Sequence, residues 1–179
     1  MPTRLVITGA PASAKTSFFE RLKSEPRLAD FLFFDEIARQ ILTENPDFRH
    51  HWSDFHREIY RRQNEREQAA ADRSFITDRG TVDAFAFHPE TMRAVGTTIE
   101  REYGRYTAVI QLGSAAALGE PYYTRDDVRN ESVAEALEIE RALRAAWSGH
   151  PRYYFVEALP EIEEKYRRFR EIVVNNIVE

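Results

Sequence analysis

Five short apolar runs punctuate a chain that is otherwise patterned for helices. They are "RLVIT" (4–8), "FLFF" (31–34), "SFIT" (74–77), "TAVIQL" (107–112) and "YYFVE" (153–157), and each predicts a strand. Helical spacing predicts a helix beginning near Lys15 and another through Ile37 and Ile41. A long polar helix is expected from about Ser53 to Ala71, with a thin apolar stripe marked by Trp52, Phe55 and Ile59. Ser132 and Glu135 form an S-x-x-E capping box before Ala136 and Leu137. Pro160 fits the first turn of a last helix, whose core-facing stripe reads Ile162, Tyr166, Phe169 and Val173. Strands alternating with helices predict an α/β domain with a mainly parallel sheet. Residues 113–130 carry glycine, proline and charges without a period, and read as a mobile excursion over the sheet edge.

Composition narrows this picture. A length of 179 residues suits one domain with a sizeable core. Hydrophobic residues at 42% and charged residues at 31% suit a soluble globular protein. The formal charge of −5 disfavours non-specific nucleic-acid binding, which depends on an excess of cations. There is no cysteine, hence no thiolate metal site and no cysteine nucleophile. No run approaches the roughly 18 apolar residues of a membrane span, so the expected location is cytoplasmic. Basic residues are nearly all arginine. The lysines are Lys15, Lys23 and Lys165, and Lys15 sits where a compact point charge is needed.

That place is "GAPASAKTS", formed by Gly9, Ala10, Pro11, Ala12, Ser13, Ala14, Lys15, Thr16 and Ser17. It departs by one residue from the phosphate-loop pattern G-x-x-x-x-G-K-[ST], with Ala14 in place of the second glycine. A strand leads in and a helix leads out, so backbone N–H groups and a helix N-terminus converge on phosphate oxygens. Lys15 is placed for the β- and γ-phosphates, and Thr16 for Mg²⁺. The Ala14 methyl crowds the phosphate or strains the backbone, but removes no charge, donor or metal ligand. Weakened binding is expected more readily than abolished binding.

Two acidic positions lie on the same predicted edge. Asp78 ends the third strand in "FITDRG", near Thr16, where it would hold Mg²⁺ directly or through water. Alternatively it is an ordinary strand-ending Asp in a turn with Gly80. Asp35 and Glu36 follow the second strand, where one would accept a proton from a substrate hydroxyl. Otherwise they serve the dipole of the next helix.

On "GAPASAKTS", "DEIAR", "DRGTVDAF" and "DDVRNESVAEALEIERALRAAWSGHPRYYFV", the chain resembles the small AAA-type P-loop domains. That family includes the nicotinamide-riboside kinase part of NadR, and is more distantly similar to deoxynucleoside and nucleoside-monophosphate kinases. The matching pieces cover most of the chain in order. The resemblance implies a three-layer P-loop fold, with a five-stranded parallel sheet in the order 2-3-1-4-5 and helices on both faces. It implies Mg-ATP at Lys15 and Thr16, a metal-side acid at Asp78 and a substrate-side acid at Glu36 with Arg39 nearby. Arg79 enters the substrate region, and a lid over 113–130 carries Arg125 and Arg129. Ala14 departs from the family pattern, and the family's mixed functions leave the acceptor open.

Other segments weigh less. Arg125 and Arg129 are lid cations or members of local ion pairs with Asp126 and Asp127. Arg141 and Arg144 read as a solvated face. "HHWSDFHREIYRR" matches no zinc spacing, and reads first as a polar exposed helix and, as the alternative, as a substrate-facing helix with Tyr60 and Arg61. Phe85, Phe87 and His88 line a base pocket or belong to the core. The leading expectation is an ATP-dependent kinase for a small, nucleoside-like metabolite. Beside it stand a nucleotide switch or slow NTPase with a protein or lipid partner, and a non-catalytic descendant. No N-K-x-D or T-K-x-D guanine-reading motif occurs.

Overall fold

A computed structural model of the chain describes residues 1–123 and 131–177. Five parallel strands form one sheet: β1 (Arg4–Gly9), β2 (Leu32–Phe34), β3 (Phe75–Asp78), β4 (Ala108–Leu112) and β5 (Tyr153–Val156). Their order is β2-β3-β1-β4-β5, as the resemblance implied. Register places Val6 beside Thr77 and Val109, at the centre of the sheet. β1 has a neighbour on each side, so its alternating residues serve two cores. Leu5 and Ile7 join Phe18, Phe19, Leu22, Phe169 and Val173 on one face. Val6 joins Phe75, Tyr106, Val109 and Trp147 on the other.

The helices follow the sequence closely at the first face. α1 (Lys15–Leu22) packs Phe18 and Phe19 onto the sheet, and Phe18 stacks on Phe169 of the last helix. α2 (Ile37–Glu44) and α3 (Trp52–Ala69) form a separate apolar cluster through Ile37, Ile41 and Phe55. Three short helices fill the stretch between β3 and β4: α4 (Asp83–Phe87), α5 (Pro89–Ala94) and α6 (Ile99–Tyr103). α7 (Val133–Trp147) begins at the expected capping box, with both Ser132 and Glu135 bonds formed. α8 (Ile162–Glu171) continues into a π-helical stretch, Ile172–Ile177.

Three expectations are corrected. Pro160 lies outside the last helix, which starts two residues later with Glu161 as its N-cap. Ile162 is exposed at 48%, so the buried stripe of α8 runs instead through Lys165 and Phe169, and continues at Val173 in the π-helical stretch. α3 buries more than its apolar stripe, because His56, Gln63 and Glu67 are also inside. Gln63 bonds Glu67 (2.5 Å) and Thr77 (3.0 Å), and Glu67 accepts from Tyr106 (2.9 Å) and Arg105 (2.5 Å). Buried polar groups are tolerable when paired in this way.

The described part of the 113–130 excursion is anchored. A 3₁₀ turn, Ala115–Leu118, follows β4, and Ala116 and Tyr123 pack with Ala136 of α7. Among the described residues, no helix is long and apolar enough to cross a membrane.

Candidate active site

The strand order reverses around β1, which has β3 on one side and β4 on the other. In open sheets of this kind the carboxyl ends of the strands at such a point form a ligand crevice. Residues 9–17 wrap that end of β1. Ser13 N–H donates to the Ala10 carbonyl at 3.2 Å, closing the loop. A side chain at Gly9 has no room, since a Cβ there would collide with the Ser13 hydroxyl and lie 2.9 Å from the Leu112 carbonyl. The loop borders a cleft of about 370 Å³ with Arg79 on its rim. No side chain caps α1, and the Ala14 N–H has no acceptor among the described residues. Unpaired amides at a helix start form an anion cradle.

Ala14 carries the backbone strain that was one of its two expected effects. Its φ is +67°, in the left-handed region that suits glycine, and Ala12 is similar at +61°. Such a conformation costs alanine about 1 kcal/mol. The methyl group borders the cleft but also packs against the core cluster of β1 and α1. The departure from glycine is therefore recorded as backbone strain already present without ligand.

Beside the loop, five charges alternate in sign. Lys15, 7% exposed, ion-pairs with Asp78 and lies 3.7 Å from Glu36. Arg79 donates to Glu36 (3.1 Å), to Asp83 (3.2 Å) and to the Gly9 carbonyl (3.2 Å). Arg79 itself has a φ of +68°, so the turn after β3 is strained where it carries this side chain back to the loop. Burial raises the pKa of Asp78, with Lys15 pulling the other way. Burial also acts upward on Glu36, but Arg79 and Lys15 together hold its carboxyl below the ordinary value. Asp83 is satisfied by Thr8, the Gly80 N–H (2.9 Å) and the Trp147 indole (3.3 Å).

Glu36, Asp78 and Arg79 also line a larger cavity of about 590 Å³. Its walls come from α2, from Trp52, Phe55, Ile59 and Tyr60 of α3, and from Phe87 and His88. Trp52 is 52% exposed and Phe87 38%, which leaves aromatic surface open to a ligand. His56 and His88 stack in the wall with centroids 5.0 Å apart. The Trp52 carbonyl, 2.8 Å from His56 Nδ1, selects the tautomer with the proton there. Burial lowers the His56 pKa, with the Trp52 carbonyl opposing that shift and His88 adding to it.

The other candidate residues divide. Thr16 and Ser17 are exposed on the loop cleft, and the Thr16 hydroxyl has no partner among the described residues. Thr16 also shares a cleft of about 200 Å³ with Asp35, Glu36, Arg39 and Asp78. Asp35 is exposed, pairs with Lys23 at 3.0 Å, and does not line the larger cavity. Arg39 is exposed near Glu36 and likewise lies outside that cavity. Tyr60 lines the cavity, whereas Arg61 pairs on the outer face with Glu58 and Glu65. Phe85 packs in the core. Arg144 is exposed and stacks over Phe155 at 4.1 Å. Arg125 and Arg129 lie outside the described residues. Sequence reasoning missed Asp83 and Gln63; the signal for Asp83 was its place one helical turn after Arg79 in "DRGTVD".

A family model for an AAA domain matches residues 4–165. A search of curated proteins finds no match. Among solved structures, the chain is similar to a deoxyadenosine kinase from M. mycoides with bound dATP, at a TM-score of 0.63 and 11% identity. The alignment covers 96% of this chain and 98% of that one, and at this identity it shows a shared fold.

Proposed function

The chain belongs to the AAA domain family of P-loop proteins, and on that premise we propose that it is a Mg-ATP-dependent kinase for a small nucleoside-like acceptor. The observation that carries the reading is the position of Glu36. It sits 3.7 Å from the loop lysine and also lines the 590 Å³ cavity, so phosphate and acceptor sites share one carboxylate. The dATP bound to the structural neighbour favours a nucleoside-like acceptor by analogy of fold.

The donor set fits Mg-ATP. Unpaired loop amides and the Lys15 ammonium suit phosphate, and the unpartnered Thr16 hydroxyl with Asp78 suits a hard cation. When bound, Mg-ATP supplies the transferable γ-phosphoryl group and part of its charge neutralisation. Lys15, which pairs with Asp78 and lies near Glu36, would hold phosphate oxygens. Glu36, ionised at neutral pH, would accept the proton of the acceptor hydroxyl. Arg79 holds Glu36 in place from the Gly9 side. The aromatic walls from α3 and Phe87 orient the acceptor and exclude water. The segment 113–130, with Arg125 and Arg129, acts as the lid of this single domain.

The strained Ala14 is the observation that favours the other reading, a descendant that keeps the fold but has lost catalysis. A nucleoside screen for acceptor-dependent ADP release decides between them. In the kinase, Glu36→Gln leaves Mg-ATP affinity intact and lowers turnover by roughly 10²–10⁴-fold, the usual worth of a general base. Parent-level turnover in that variant removes Glu36 from the role.

A further inference from the structure

Lys165 of α8 is 3% exposed, and no step above uses it. Its ammonium donates to two backbone carbonyls, Ser13 at 2.8 Å and Gly113 at 2.6 Å. It also lies over the Phe18 ring, 5.8 Å from the centroid. Ser13 belongs to the phosphate loop, and Gly113 follows β4 at the root of the 113–130 segment. In a chain that otherwise uses arginine, two of the lysines, Lys15 and Lys165, are buried, and both touch this loop. A compact ammonium can reach two converging carbonyls in a space where a planar guanidinium is a poor fit.

The consequence lies in the peptide that joins Ser13 to Ala14. A trans peptide is planar, with its C=O and N–H on opposite sides. Pulling the Ser13 carbonyl toward α8 therefore turns the Ala14 N–H away from α8. That N–H has no acceptor among the described residues, and Ala14 lines the phosphate cleft. Ala14 is also the residue whose left-handed conformation disfavours this arrangement.

We propose that Lys165 is a positioning residue for phosphate recognition: it holds the Ser13 carbonyl so that the Ala14 N–H faces the phosphate cleft. The inference rests on the nucleotide site proposed above. Burial lowers the Lys165 pKa to about 8, while Glu140 of α7 acts to retain the proton. The groups that meet the ammonium from the loop, the end of β4 and α1 are two carbonyls and a phenyl ring, so none of them titrates. Above that pH the two bonds become neutral ones, which are weaker.

The experiment is Mg-ATP calorimetry at pH 7, 8 and 9 on the parent and on Lys165→Met, with thermal melts to establish folding. Alongside it, the Ala14 and Lys15 amide resonances of both apoproteins are followed over the same range. The parent should lose roughly fivefold in affinity between pH 7 and 9, the difference between charged and neutral hydrogen bonds. Lys165→Met should start about that much weaker and show no such slope. The parent Ala14 amide should titrate with a midpoint near 8, and in Lys165→Met it should not. Parent-like affinity and slope in Lys165→Met overturn the proposal. If the parent binds no nucleotide at any pH, the kinase reading falls instead. The amide titration then still decides whether Lys165 orients the loop, and an Ala14 resonance indifferent to both pH and substitution refutes it.

Discussion

The phosphate loop and the cavity proposed for the acceptor meet at Glu36 and Arg79, yet they are built from different materials. The loop offers backbone amides, one ammonium and the Thr16 hydroxyl, all within residues 9–17, and most of its other members are small. Alanine stands at two left-handed positions, and the arrangement persists because surrounding contacts hold it. The cavity offers side chains from α2, α3, the turn after β3 and the α4–α5 junction, propped by a buried polar network that includes Gln63 and Thr81. A backbone site tolerates substitution and stays recognisable. A side-chain site changes with every substitution in its walls, so in the kinase proposed above acceptor choice would be set there.

The largest effect should come from the loop's charged side chain. Lys15→Met should weaken Mg-ATP binding by about 100-fold or more, since two or more charge-assisted bonds are lost. It also strands Asp78, which is 4% exposed, and breaking a buried pair costs about 3–5 kcal/mol of stability. Lys15→Met combined with Asp78→Asn should recover much of the melting temperature and none of the affinity. Recovered binding in that double variant would erase the distinction, because the cradle would then work by amides alone.

The cavity side is tested by Phe87→Ala. Phe87 is 38% exposed, so its removal costs the fold little, while an acceptor loses an aromatic wall. Acceptor KM should rise about 10-fold, from the roughly 1.5–3 kcal/mol available to a buried aromatic ring. The KM for Mg-ATP should move less than that for the acceptor, because Phe87 reaches the loop only through Arg79, whose guanidinium lies 5.1 Å from the ring centroid. A parallel rise in both constants would show that the two sites are one.

The same division explains what could be read from the residues alone. β1, the loop, α1 and the α7 capping box were legible because each is specified by neighbours in sequence. Asp78 and Glu36 were legible because one ends β3, the other follows β2, and both strands lead to one edge. α4 to α6 were not, being helices of five or six residues with too few positions to display a period. Gln63 and Glu67 looked like solvated residues of a polar helix; only the distant partners Thr77, Arg105 and Tyr106 make them interior. Lys165 looked like one more charge in "EEKYRR", because the carbonyls it serves are 152 and 52 residues away.

Lys165 supplies a test of intermediate size in which stability and affinity move in opposite directions. Its folded pKa is about 8 and its ordinary value 10.5. Between those values the unfolded chain binds more protons, so this group makes stability rise with pH, by on the order of 3 kcal/mol across the window. Affinity should fall as the pH enters the same window, because the charged clamp on Ser13 is lost. Denaturant titrations of the parent and Lys165→Met, compared at pH 7.5 and 9.5, should show that rise only in the parent. Equal pH dependence in the two proteins would mean that the ammonium is not burdened by its burial.

The smallest expected effect belongs to the substitution that looks most natural. Ala14→Gly relieves a left-handed alanine, worth about 1 kcal/mol, but gives the unfolded chain back a comparable entropy. Net stability should stay within about 0.5 kcal/mol. Affinity should also change little, within about threefold, because the strain is present before ligand arrives and a ligand responds only to differences between free and bound states. The prediction sharpens when Lys165 is removed. In Lys165→Met the Ser13–Ala14 peptide is released to relax away from the cleft, and glycine should now restore affinity that it could not improve in the parent. A double-mutant cycle on Mg-ATP binding should therefore show coupling between positions 14 and 165 of about 0.5 kcal/mol or more. Additive effects would mean that the alanine's strain and the lysine's clamp act on different parts of the loop.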